Sequence, residues 1–155
     1  MGGFMLLNPE NMIKARIAET IVEEMFRREG YQVYRFGYES ILQNLVQNGN
    51  RIDKEYDVGL TVTSMPDFLV VKDNKPNFIE VKFRKSGKLN RKRLISWAEG
   101  RILLVFPFPP YFKISRVEEF MKTGKLYDLD KDRFIPVKKK IIDKFIPLIE
   151  KYLKE

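Results

Sequence analysis

At 155 residues the chain has the length of one domain with room for a core, and 44% apolar content with 12 Phe and 7 Tyr excludes a globally disordered chain. Its 29 Lys and Arg against 21 Asp and Glu, a net charge of +8, favour polyanionic partners. Cysteine and histidine are both absent, which excludes disulfides, iron–sulfur clusters and thiolate zinc sites and leaves carboxylates, Lys and Tyr for any catalysis.

Asn8-Pro9-Glu10 reads as a helix start, with Asn8 as the N-cap and Pro9 at the first helical position. The helical pattern runs to Glu29, where Gly30 stops it, and Ile17, Ala18, Ile21, Val22, Met25 and Phe26 form its apolar stripe. Tyr31 to Phe36 alternates as a strand. A short helix is expected over Glu39 to Val46 and a strand near Asp57 to Thr63. Two apolar runs follow, Phe68 to Val71 and Phe78 to Phe83, separated by a polar turn over residues 73–77. Leu89 to Glu99 reads as a basic helix and Ile102 to Phe106 as a buried strand that Pro107, Pro109 and Pro110 end. Ser115-Arg116-Val117-Glu118 has the form of a capping box opening a short helix, closed by Gly124. The last element, Val137 to Lys154, is amphipathic, and Pro147 is expected to kink or divide it. Its apolar stripe either closes the domain or buries against a second subunit in a homodimer. Helix, three strands, helix, strand is an order that suits an α/β sandwich on a mixed sheet. No apolar run approaches a membrane span and the N-terminus lacks a secretory pattern, so a cytoplasmic protein without membrane contact is expected.

The stretch Met65 to Phe83, MPDFLVVKDNKPNFIEVKF, holds the chemistry. Alternation in its second run puts Ile79, Val81 and Phe83 on one face and Phe78, Glu80 and Lys82 on the other. A half-buried strand with a solvent-side Glu and Lys has the same pattern. Asp67 alters the weighing, because it stands at the mouth of a run apolar enough to be a central strand, where α/β folds place reactive groups. If the two runs pair, Asp67, Glu80 and Lys82 meet at one point, and two carboxylates with an ammonium can hold a divalent metal and stabilise a charged phosphate during hydrolysis.

Among the acids of the first helix, Glu23 shares a face with Arg16 and Arg27, and Glu24 has Arg28 four residues on, so both read as exposed, ion-paired residues. Glu19 instead flanks the apolar stripe. It needs a partner, either a bound metal with its water or a sheet lysine such as Lys82. Directly after the Glu-Val-Lys strand come Arg84, Lys85, Lys88, Arg91, Lys92 and Arg93. They form a solvated face or a phosphate-contacting one, and the absence of any acid among them favours phosphate.

Asp67 after Pro66, followed across a turn by Glu80-Val81-Lys82, resembles the signature of the PD-(D/E)XK nuclease superfamily, nearest to its archaeal Holliday junction resolvase-like members. Glu19, eleven residues before Gly30, falls where those members carry a first-helix glutamate. The resemblance implies a restriction-endonuclease-like core over about residues 9–106 of a single domain, with an insertion at about 37–64 and a helical C-terminal extension at about 107–155. It further implies Mg²⁺, replaceable by Mn²⁺, held by Asp67, Glu80 and the Val81 carbonyl, with Glu19 holding a second metal or its water shell. Lys82 would position the attacking water, and the reaction would be hydrolysis of DNA phosphodiester bonds to 5′-phosphates. The alternatives are a nucleic-acid-binding module of the same fold with little or no catalysis, and an RNA-processing nuclease.

Overall fold

The computed structural model describes residues 8–36, 66–85 and 100–154. Helix α1 (Pro9–Glu29) begins as its sequence dictates: the Asn8 side chain accepts the Glu10 N–H at 2.9 Å. It ends with Gly30 in the left-handed region (φ 103°), which lets the Tyr31 N–H turn back to the Phe26 carbonyl at 3.0 Å. Strand β1 (Gln32–Arg35) follows. Beyond the expected insertion come β2 (Phe68–Lys72) and β3 (Lys75–Phe83), then β4 (Arg101–Val105) and β5 (Phe112–Arg116). Helix α2 (Val117–Thr123), the short β6 (Tyr127–Asp128), a 3-10 turn (Leu129–Lys131) and helix α3 (Lys139–Tyr152) complete the described elements. The helix expected at Glu39 to Val46, the strand at Asp57 to Thr63 and the basic helix at Leu89 to Glu99 lie outside the described residues.

The six described strands form one sheet in sequential order, antiparallel throughout except for the parallel pair β3–β4. A parallel neighbour demands a crossover connection rather than a hairpin. One face of the sheet, carrying Val33, Phe68, Val70, Ile79, Val81, Leu103 and Val105, packs against Ala18, Val22 and Phe26 of α1 and Phe145 and Ile149 of α3. On the opposite face Ile102, Leu104 and Phe106 meet Val117 and Phe120 of α2. β4 is therefore buried on both sides, which explains why it reads as an unbroken apolar run.

Several expectations change. The turn between β2 and β3 is two residues long, because Asp73 and Asn74 both take left-handed angles (φ 52° and 62°), so β3 starts at Lys75 and Pro76 lies within it. The C-terminal extension is not only helical: β5 and β6 widen the sheet. Ser115 forms no capping box. Strand pairing with Ile102 holds it in β5, its hydroxyl is buried with no hydrogen-bond partner among the described residues, and the residue preceding α2 is Arg116. Pro147 does not divide the last helix, which runs unbroken through it. The stripe of α3 closes the domain, with Phe145 and Ile149 buried against α1 and the sheet.

Charges inside the fold are held individually. Arg101, at the start of β4, is 4% exposed, lies 3.9 Å from Asp132 and stacks on the Phe134 ring at 4.3 Å. Lys14 extends the buried stripe of α1 and reaches Glu10 at 3.4 Å. No described helix is long and apolar enough to cross a membrane.

Candidate active site and metal centre

Asp67 sits on the bend just before β2. Its main-chain oxygen accepts the Phe36 N–H at 3.3 Å, which carries the β1–β2 ladder one residue past β1. Its side chain crosses to β3, where Oδ2 accepts the Val81 N–H at 2.7 Å. The residue thus clamps both neighbouring strands. The pairing Phe68↔Ile79 sets Asp67 beside Glu80 in register, on the face opposite to buried Phe68 and Ile79. Lys82 shares that face, and its Nζ lies 3.4 Å from Glu80 Oε1. The three residues that the sequence singled out are therefore brought together.

Their electrostatics are those of two neighbouring acids that share one ammonium, Lys82, which pairs with Glu80. Burial, and after it the charge of Asp67, push the Glu80 carboxyl up from 4.5 to about 7, with Lys82 pulling the other way. The Glu80 side chain is only 17% exposed, so water screens little of this repulsion. A divalent cation between the two carboxylates would remove it. Within one strand residue N–H and C=O point to the same neighbour, so the Val81 carbonyl faces the side from which Asp67 approaches. Asp67, Glu80 and the Val81 carbonyl make an all-oxygen donor set of the kind that hard divalent ions prefer.

Glu19 is not drawn into this group. It is buried on α1, whose layer covers the Ile79 and Val81 face, whereas Asp67, Glu80 and Lys82 lie on the other face. Among the described residues no three acidic side chains converge closely enough to hold an ion. Glu23 pairs with Arg27 at 3.6 Å, as its helical spacing suggests. It also pairs with Arg35 of β1 at 3.1 Å and is largely buried rather than exposed. Glu24 makes no ion pair among the described residues, and Arg28 lies over the Phe145 ring instead.

Of the basic run, the described residues include Arg84 and Lys85; Lys88, Arg91, Lys92 and Arg93 lie outside them. Arg84 is half-buried, donates to the Phe83 carbonyl at 2.8 Å and has its guanidinium pKa lowered by burial. Lys85 is exposed at the end of β3. Phe36 escaped the sequence reading as a neighbour of the site. Its N–H binds Asp67, and its ring lies 5.7 Å from Phe78, two residues before Glu80. The only signal for it was its place at the end of the first strand.

Comparison with protein families, with characterised proteins and with solved structures finds no match to this chain.

Proposed function

We propose that the protein is a metal-dependent nuclease of the PD-(D/E)XK type that hydrolyses DNA phosphodiester bonds. The observation that carries this reading is the Asp67–Val81 bond across β2 and β3, which sets Asp67 beside Glu80 with the Lys82 ammonium 3.4 Å from the latter. The strand order supports it too: an antiparallel β1-β2-β3 meander followed by β4 parallel to β3, with α1 on one face, suits a restriction-endonuclease-like core.

Asp67, Glu80 and the Val81 carbonyl would hold Mg²⁺. The ion when bound supplies Lewis acidity towards a phosphoryl oxygen and makes a coordinated water more acidic. The chain's own residues do the rest. Asp67, fixed by the Val81 N–H, and Glu80, fixed in a paired strand, need no rearrangement to present their oxygens. The Lys82 ammonium, one-third exposed, can donate from Nζ to the attacking water or to a non-bridging phosphate oxygen, where it offsets the charge that grows as the bond to phosphorus forms. Burial on the Glu80 side keeps that charge poorly screened and the ammonium correspondingly effective.

The test is cleavage of labelled DNA in Mg²⁺, Mn²⁺ or EDTA, with RNA of the same sequence in parallel, by the wild type and by Asp67→Ala and Lys82→Ala. Metal-dependent strand scission lost in both variants is the expected outcome. Scission that survives both substitutions, or none with any metal, would overturn the enzyme reading, and cleavage confined to RNA would change the substrate.

A further inference from the structure

Helix α3 buries Phe145 and Ile149 against α1 and the sheet and leaves its opposite side exposed. Residues 140, 144 and 151 fall within about 40° of one another on that outer side, at 3.6 residues per turn. All three are exposed lysines, and together they form a straight cationic ridge about 16 Å long at 1.5 Å per residue. We propose that this ridge is a second nucleic-acid contact, a surface that takes the phosphate backbone.

A solvated lysine face normally comes with acids at helical spacing. Here Asp143 follows Lys140 by three residues and Glu155 follows Lys151 by four, but Lys144, at the centre of the ridge, has none three or four residues away. Lys140, Lys144 and Lys151 make no ion pair among the described residues, a property they share with Lys75 and Lys125, and Lys151 lies over the Tyr152 ring at 5.2 Å. Glu150, beside Lys151, is engaged by the Tyr111 hydroxyl at 2.6 Å. Lys140 and Lys144 are four residues apart, a like-charge spacing that disfavours the helix. The helix also opens on Lys138, Lys139 and Lys140 with no acid in its first turn, so its cations stand at the end where the backbone dipole repels them. An arrangement that is locally unfavourable in the free protein and relieved by a line of anions fits a polyanionic strand. The net charge of +8 adds attraction at long range.

The ridge lies on the helical layer, away from the face that carries Asp67, Glu80 and Lys82. Its role rests on the nucleic-acid substrate proposed above but not on catalysis, and binding measured in EDTA separates the two. The experiment follows a fluorescent duplex by anisotropy as salt is raised, for the wild type and for Lys140→Gln/Lys144→Gln/Lys151→Gln. Each phosphate contact contributes about 0.9 to the slope of log K against log salt. The triple variant should therefore lose roughly 2.7 from the slope, and Lys144→Gln alone roughly 0.9. A control that removes the same charge elsewhere, Lys75→Gln/Lys122→Gln/Lys131→Gln, should leave the slope unchanged. An unaltered slope in the ridge variants, an equal fall in the control, or a loss seen only on anionic phospholipid vesicles would each overturn the assignment. Duplex binding that depends on the ridge in a protein that cleaves nothing would sink the nuclease reading and leave the ridge standing.

Discussion

Replacing Glu80 by Gln isolates the electrostatic cost of the acid pair. In the folded, metal-free protein the Glu80 carboxyl titrates near 7 rather than 4.5. Between those values the native state binds more protons at this group than the unfolded chain does, so stability falls as pH rises through the window. At 1.4 kcal/mol per pH unit the shift is worth about 3 kcal/mol, lost progressively from about pH 4.5 and fully absent by about pH 8. Gln has nearly the same shape and cannot ionise. Glu80→Gln should therefore match the wild type in EDTA near pH 4 and exceed it by up to about 3 kcal/mol at pH 8. Lys82 loses its partner in the variant, but a third of its side chain is exposed and water can solvate the ammonium. Urea unfolding at several pH values, with a constant m-value as the check on two-state behaviour, measures this directly. Mg²⁺ at a hundredfold excess over its dissociation constant should add about 2.7 kcal/mol to the wild type at pH 8 and little to the variant. Parallel pH profiles for the two proteins between pH 5 and 8 would refute the reasoning, since the burial and the Asp67 charge could not then be acting on Glu80.

Asp67→Ala removes the acceptor of the Val81 N–H, a half-buried donor, and should cost about 1–3 kcal/mol in urea besides abolishing metal-dependent scission; undiminished stability would mean that the clamp is not formed. Ser115→Ala should be neutral or slightly stabilising, because the buried hydroxyl has no partner among the described residues. A loss of about 1 kcal/mol in its thermal unfolding would instead reveal a helix cap. Asn74→Val forces a β-branched residue into a left-handed angle and should cost about 1–2 kcal/mol, while Asn74→Gly should be tolerated, a contrast readable from unfolding midpoints. Phe26→Ala empties a fully buried site between α1 and the sheet and should cost about 3–5 kcal/mol by urea unfolding.

The elements legible in the sequence are those whose signals are local. Asn8-Pro9 and Gly30 bound α1 because caps act within a few residues, and β4 announces its burial on both faces by being apolar throughout. Asp67, Glu80 and Lys82 could be grouped because alternation fixes the face of β3 and a short turn fixes its partner. Where a residue's role depends on distant contacts the sequence misled. Ser115 has the spacing of a cap, yet the ladder with β4 claims its backbone before the helix begins. Residues 112–116, hidden behind Pro109 and Pro110, become a strand only because β4 offers an unpaired edge.

What the sequence determined by itself is therefore the identity of the candidate site residues and the face of the strand on which they stand, since both follow from composition and period. Only the tertiary structure decided which acids share that face. Glu19 and Glu80 look alike as carboxylates near apolar runs, but packing of α1 against Ile79 and Val81 puts the sheet between their layers. The same packing turns the lysines of α3 outward, because a helix that buries Phe145 and Ile149 has no other place for them.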